Sequence, residues 1–97
     1  MANTDLNRLI NSIGKSTFVR YFHQFADHRL SNQDVVAILP AEYSLKARNT
    51  RTSKARRIFR EGLEEEALEL ILRSERIDEE TANGARKLLV QVRKTAE

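Results

Sequence analysis

Apolar residues recur along this chain at the three-and-four spacing of helices almost from end to end. Leu6, Leu9, Ile10 and Ile13 form a first stripe that stops at Gly14, a residue suited to a helix C-terminus. Ser16 or Thr17 can cap a second helix carrying Phe18, Phe22 and Phe25, flanked by Val19 and Tyr21. The segment Leu30-Ser31-Asn32-Gln33-Asp34-Val35 holds the clearest start signal. Ser31 is a suitable N-cap, Asp34 stands at the third helical position in place of the usual Glu or Gln, and Leu30 can close on Val35 as a hydrophobic staple. That third helix, Asn32 to Leu39, is kept short because Pro40 biases Leu39 away from helical geometry.

Beyond Pro40 the pattern is more open. Tyr43 and Ser44 can begin a helix at once, or Asn49 to Thr52 can break it and cap a later one. The favoured reading is an ordered helix from about Thr50 to Glu61, ending at Gly62. Next comes a helix from Leu63 to Ser74, with acids in its first turns and Arg73 near its end, as the macrodipole prefers. Ile77 and Asp78 repeat the staple-and-cap logic, with Ala82 as the staple partner. The last helix then runs from Glu79 to about Lys94, weakened slightly by Gly84. With one proline, three glycines and no repeat or linker, residues 1–97 read as an all-α chain, a single compact domain of five or six short helices.

Composition narrows the class. A length of 97 residues suffices for one core without metals or disulfides. The absence of cysteine excludes disulfide frameworks, thiolate metal sites and thiol nucleophiles. Met1 to Arg8 is polar, unlike a signal peptide, and no run approaches the roughly 18 apolar residues of a membrane span. A cytoplasmic protein without membrane contact is expected.

Net charge is only +3, but its distribution changes the picture. Residues 1–40 carry four basic and three acidic groups; residues 41–62 carry seven and two, a local +5; residues 63–97 carry six and nine, a local −3. Between Ser44 and Arg60 stand Lys46, Arg48, Arg51, Lys54, Arg56, Arg57 and Arg60 with no acid among them. A one-sign block in a small mixed domain calls for a counter-charge, and a phosphate backbone is the commonest.

On a helix from Thr50 to Gly62, Ala55, Ile58 and Phe59 fall within about 100° and make the inward face. Opposite lie Thr50, Ser53, Lys54, Arg57 and Arg60, with Arg56 on the flank. Arginine, which dominates, makes forked contacts to phosphate or guanine, and hydroxyls between the cations can bond phosphate or base edges. The expected nucleic-acid-binding residues are Thr52, Ser53, Lys54, Arg56, Arg57 and Arg60, with Lys46, Arg48 and Arg51 adding phosphate contacts, the first two from a looser connection.

Other candidate chemistry fails on its own terms. Gly14-Lys15-Ser16-Thr17 matches the end of a phosphate-binding loop, but Leu9 stands where the motif needs its first glycine, and a helical stripe stands where it needs a strand. His23 and His28 are five residues apart, roughly 140° around a helix, so they do not chelate a metal from one face. Glu64, Glu65, Glu66 and Glu69 sit where they complement a helix dipole rather than facing one another across a cleft. The Phe18, Phe22 and Phe25 stripe reads as core rather than as a stacking platform for bases. No enzyme activity, cofactor or metal is expected.

Residues 31–61 resemble, weakly, a helix-turn-helix DNA-binding unit. The capped helix Ser31-Asn32-Gln33-Asp34-Val35-Val36-Ala37-Ile38-Leu39 looks like the scaffold helix, with Ala37 at the small-residue position, and Thr50 to Arg60 looks like the recognition helix. The match departs at Pro40, at the missing turn glycine and in the long Ala41 to Asn49 connection. It implies duplex DNA binding, as a transcriptional regulator or accessory factor. Sequence-specific binding further implies a homodimer, since one helix reads few base pairs. The last helix, with Leu88, Leu89, Val90 and Val92 on more than one side, offers the surface for it. Two alternatives stay open: a helical protein–protein interaction module docking an acidic partner, and an RNA-binding accessory protein.

Overall fold

A computed structural model describes residues 5–96, and among them the chain forms seven helices and no strand. Helix α1, Leu6–Ile13, starts on the Asp5 carboxylate, which accepts from the Arg8 amide at 3.1 Å. It ends at Gly14, whose φ of +94° lies where side chains are strained and whose N–H donates to the Ile10 carbonyl at 2.8 Å. A Cβ there would also come within 2.9 Å of the Arg51 guanidinium.

Helix α2, Lys15–Arg20, follows with Gly14 as the one connecting residue. Its N-cap is Gly14, so Ser16 and Thr17 lie inside the helix rather than capping it. The second expected helix is broken at Tyr21 (φ −108°, ψ 21°), and α3, Phe22–Ala26, completes it; this break raises the helix count above six. Around it Phe18 meets Phe22 edge-on at 5.5 Å and lies parallel to Phe59 at 5.8 Å, while Phe22 meets Phe59 at 4.9 Å. With Phe18 and Phe25 out of solvent, the aromatic stripe is core.

Helix α4, Asn32–Ile38, carries both halves of a capping box: Ser31 Oγ accepts from the Asp34 amide at 3.1 Å, and the Asp34 carboxylate accepts from the Ser31 amide at 2.9 Å. The shorter aspartate therefore closes the box that glutamate usually closes. Leu39 is extended before Pro40, at ψ 153°, and the helix stops.

Helix α5, Leu45–Arg60, begins five residues before the expected start at Thr50. Ser44 is its N-cap, accepting from the Ala47 amide at 3.1 Å. Asn49 to Thr52 do not interrupt it, because tertiary packing outweighs their weak helix preference: Thr52 is fully buried on the inward face with Ala55 and Ile58. Lys46 and Arg48 are thus ordered helix residues, not members of a loose connection. At the other end Gly62 takes φ +68°, its N–H donating to Phe59 and that of Leu63 to Ile58. This paired closure turns the chain into α6, Glu64–Arg73.

Helix α7, Glu79–Ala96, begins on Asp78, which accepts from the Thr81 amide at 2.6 Å. Gly84 earns its place by contact: a Cβ would stand 2.8 Å from Val19 Cγ1, so glycine lets α2 and α7 approach. The helices α1, α3 and α4 pack on α5, and α2 and α6 pack on α7. One core joins Leu9, Ile10, Phe18, Ile58, Leu68, Ile71 and Leu89 across these pairs. The radius of gyration, 12.9 Å, is that of a compact chain of this length. No helix among the described residues is long and apolar enough to cross a membrane.

Candidate nucleic-acid interface

The seven cations of α5 separate by direction. Arg51 turns inward: its guanidinium donates to the Ile13 carbonyl at the end of α1 and lies 4.1 Å above the Tyr43 ring. The Tyr43 hydroxyl in turn sits 3.4 Å from Thr17 Oγ1, so one arginine ties α5 to α1 and, through Tyr43, to α2. Arg56 points to the turn between α3 and α4, donating to the Leu30 carbonyl at 2.8 Å and the Asp27 carbonyl at 3.3 Å. The same turn is tightened by the Asp27 carboxylate, which accepts from the side chain and amide of Arg29. Those bonds hold the Asp27 carboxyl down at about 2. Arg48 is half-buried on the inward side, its Nε out of solvent and without a partner.

Outward lie Lys46, Asn49, Thr50, Ser53, Arg57 and Arg60, all exposed. Their spacing of three, four, seven, eleven and fourteen residues from Lys46 keeps them on one stripe, about 21 Å long at the usual helical rise. Asn49, Thr50, Ser53 and the half-buried Lys54 line a shallow depression near its middle. Arg57 Nε contacts Glu61 at 2.6 Å, an exposed i,i+4 pair of small energetic weight. No hydrogen bond or ion pair engages Lys46, Lys54 or Arg60 among the described residues.

One expected contact is thereby corrected. Thr52 has no exposed surface and cannot touch a partner, because the helix turns it into the core. Arg51 and Arg56 each tie part of the guanidinium to backbone carbonyls, and Arg48 is half-buried, so these three are only partly available. Lys46, Ser53, Lys54, Arg57 and Arg60 remain reachable from solvent. Asn49 was not among the expected residues, although its spacing of four and eight from Ser53 and Arg57 is a signal that the sequence carries.

The dimer surface expected on the last helix is also corrected. Leu88 and Leu89 are buried in the chain's own core and Val92 packs against it, leaving Val90 alone exposed. On α6, Glu65 and Glu69 hold Arg93 of α7 at 3.6 and 3.1 Å, so part of the acidic face is neutralised within the chain. His23 and His28 do line one groove, because α3 ends at Ala26 and the angle argument for a continuous helix fails there. Even so, no group of three or more potential metal ligands occurs among the described residues. No family model, curated protein or solved structure matches this chain.

Proposed function

We propose that this protein binds duplex DNA by laying α5 in the major groove. The observation that carries the reading is the exposed stripe of α5, which has cations at both ends, hydroxyl and amide groups between them and no acid before Glu61. In this pose Lys46 at one end and Arg57 and Arg60 at the other meet phosphates across a groove about 12 Å wide. Asn49, Thr50 and Ser53 then face base edges, with Lys54 beside them. The regulatory or accessory role expected from the sequence rests on this binding.

With Lys54 also reaching phosphate, four cations (Lys46, Lys54, Arg57 and Arg60), rather than the seven counted along the sequence, set the salt dependence. Four phosphate contacts give a slope of about −3.6 in log–log form, or roughly a hundredfold loss of affinity between about 50 and 200 mM salt. Fluorescence anisotropy with labelled duplex at those two concentrations tests it. Salt-insensitive binding, or binding that survives Ala at Lys46, Arg57 and Arg60 together, overturns the reading.

A second reading, an interaction module for an acidic protein, draws on Ile38 and Leu45, which are 44% and 61% exposed at the α4–α5 corner beside Lys46. Capture of an acidic polypeptide that Leu45→Ser abolishes, with no duplex binding at low salt, would favour it.

A further inference from the structure

A second candidate site lies away from the basic stripe, where α3, the α5–α6 corner and the end of α7 enclose a groove of about 480 Å³. Phe22, Phe59 and Val92 give it apolar walls, and the two phenyl rings meet at 71° with centroids 4.9 Å apart. Its volume falls within the range that holds small ligands, about 300 to 1,000 Å³. Glu64 supplies its one carboxylate, and His23 and His28 stand at its rim.

Glu64 differs from its neighbours. Glu65 and Glu69 are paired with Arg93, and Glu66 is exposed to water. Glu64 is half-buried, and its Oε2 has neither solvent contact nor a hydrogen-bond partner. Unlike Glu65 and Glu69, this partly hydrated carboxylate has no cationic partner among the described residues. A ligand cation in the groove supplies that partner through the part of the carboxylate that water still reaches. The apolar walls suit a slim or aromatic body, and a planar amidinium or guanidinium can donate to the accessible side of the carboxylate. The imidazole nitrogens at the rim can accept further N–H bonds.

We propose that this groove is a binding site for a small organic cation, an ammonium, amidinium or guanidinium on an aromatic or slim apolar body, with Glu64 as its counter-charge. The site is independent of the DNA reading: its residues are not those of the exposed stripe, and it stands or falls without nucleic acid present.

The test uses the whole chain, ¹⁵N-labelled, with benzamidine as probe and benzamide as its neutral isostere. Benzamidine should shift the amides of residues 22–28, 59, 64 and 91–95. For a fragment of this size, binding at or below about 10 mM is expected. Glu64→Gln should weaken it by about tenfold or more, while Glu66→Gln, two residues along the helix and exposed, should leave it unchanged. Unshifted signals elsewhere in the Glu64→Gln spectrum establish that the variant is folded. Equal binding of benzamide, full retention of binding by Glu64→Gln, or unmoved groove amides at about 10 mM benzamidine would each overturn the proposal.

Discussion

Arg56 and Arg57 are adjacent on α5 and chemically identical, yet they belong to different parts of the molecule. Arg56 reaches two carbonyls in the α3–α4 turn, 26 and 29 residues earlier in the chain. Arg57, about 100° further round the helix, is exposed and pairs with Glu61 at the helix C-cap. The same division runs along the helix, with Arg51 and Arg56 tied inward and Lys46, Arg57 and Arg60 turned to solvent. A count of cations treats them as one surface, whereas the direction of each side chain makes some into fasteners and leaves the rest free for a partner.

The comparison breaks most visibly at Arg56. Charged donors to part-buried carbonyls are worth about 1.5 to 3 kcal/mol each, and removal leaves the carbonyls unsatisfied. Arg56→Ala should therefore destabilise the chain by about 3 kcal/mol, read as a lower urea midpoint at unchanged slope. The folded fraction should bind duplex as the parent does. A variant of parental stability with impaired binding would place Arg56 on the interface instead.

The outward set should behave in reverse. Changing Lys46, Arg57 and Arg60 together to Ala should cost little stability, since the one ion pair lost is exposed. Duplex affinity at low salt should fall by about a hundredfold, equivalent to about 2.7 kcal/mol. The salt slope should flatten, because most of the counterion release is gone.

How much of this division was legible beforehand follows from how local each signal is. The capping box at Ser31 and Asp34, the stop at Gly62 and the apolar faces depend on residues within one or two turns, and the pattern of the chain displays them. The start of α5 was not legible in the same way. Ser44 is a good cap, but Asn49 to Thr52 read as a break, and what holds them helical is distant: the Ile13 carbonyl that receives Arg51 is 38 residues away. The inward turn of Thr52 was legible from the expected helix itself, since Thr52 stands three residues before Ala55 and seven before Phe59 on the same face. Arginine side chains are long enough to serve either solvent or a carbonyl, and sequence does not choose between them. The exposed stripe was accordingly half-visible, with Ser53, Lys54, Arg57 and Arg60 placed outward, Thr52 misplaced and Asn49 overlooked.

Away from α5, the α2–α7 contact gives a smaller effect and sharpens the contrast between surface and core. Gly84 stands mid-helix, where Ala would ordinarily stabilise by about 1 kcal/mol. Here the added Cβ meets Val19 Cγ1 at 2.8 Å, and a β-branched side chain has little freedom to yield. Gly84→Ala should thus destabilise, by about 1 to 2 kcal/mol net, in thermal or urea unfolding. An increase in stability would mean that α2 and α7 can part at little cost.

The smallest expected effect concerns the cap of α4, whose helix begins just after the turn that Arg56 fastens. Ser31→Ala removes the hydroxyl that accepts from the Asp34 amide and should cost about 1 kcal/mol. The Asp34 carboxyl is held below its ordinary value mainly by the Ser31 amide, then by the Ser31 hydroxyl, with Arg56 also favouring its charged form. A carboxyl with a depressed folded-state pKa stabilises the fold above its unfolded value, near 4, and loses that contribution as pH falls through the folded value. Asp27 and Asp78, lowered chiefly by bonds to Arg29 and Thr81, act in the same direction. Stability should therefore fall as pH drops below about 4, and Asp34→Asn should make that decline shallower. If the variant's acid limb matches the parent's, the Asp34 carboxylate does not contribute through its charge, and the cap rests on the serine hydroxyl alone.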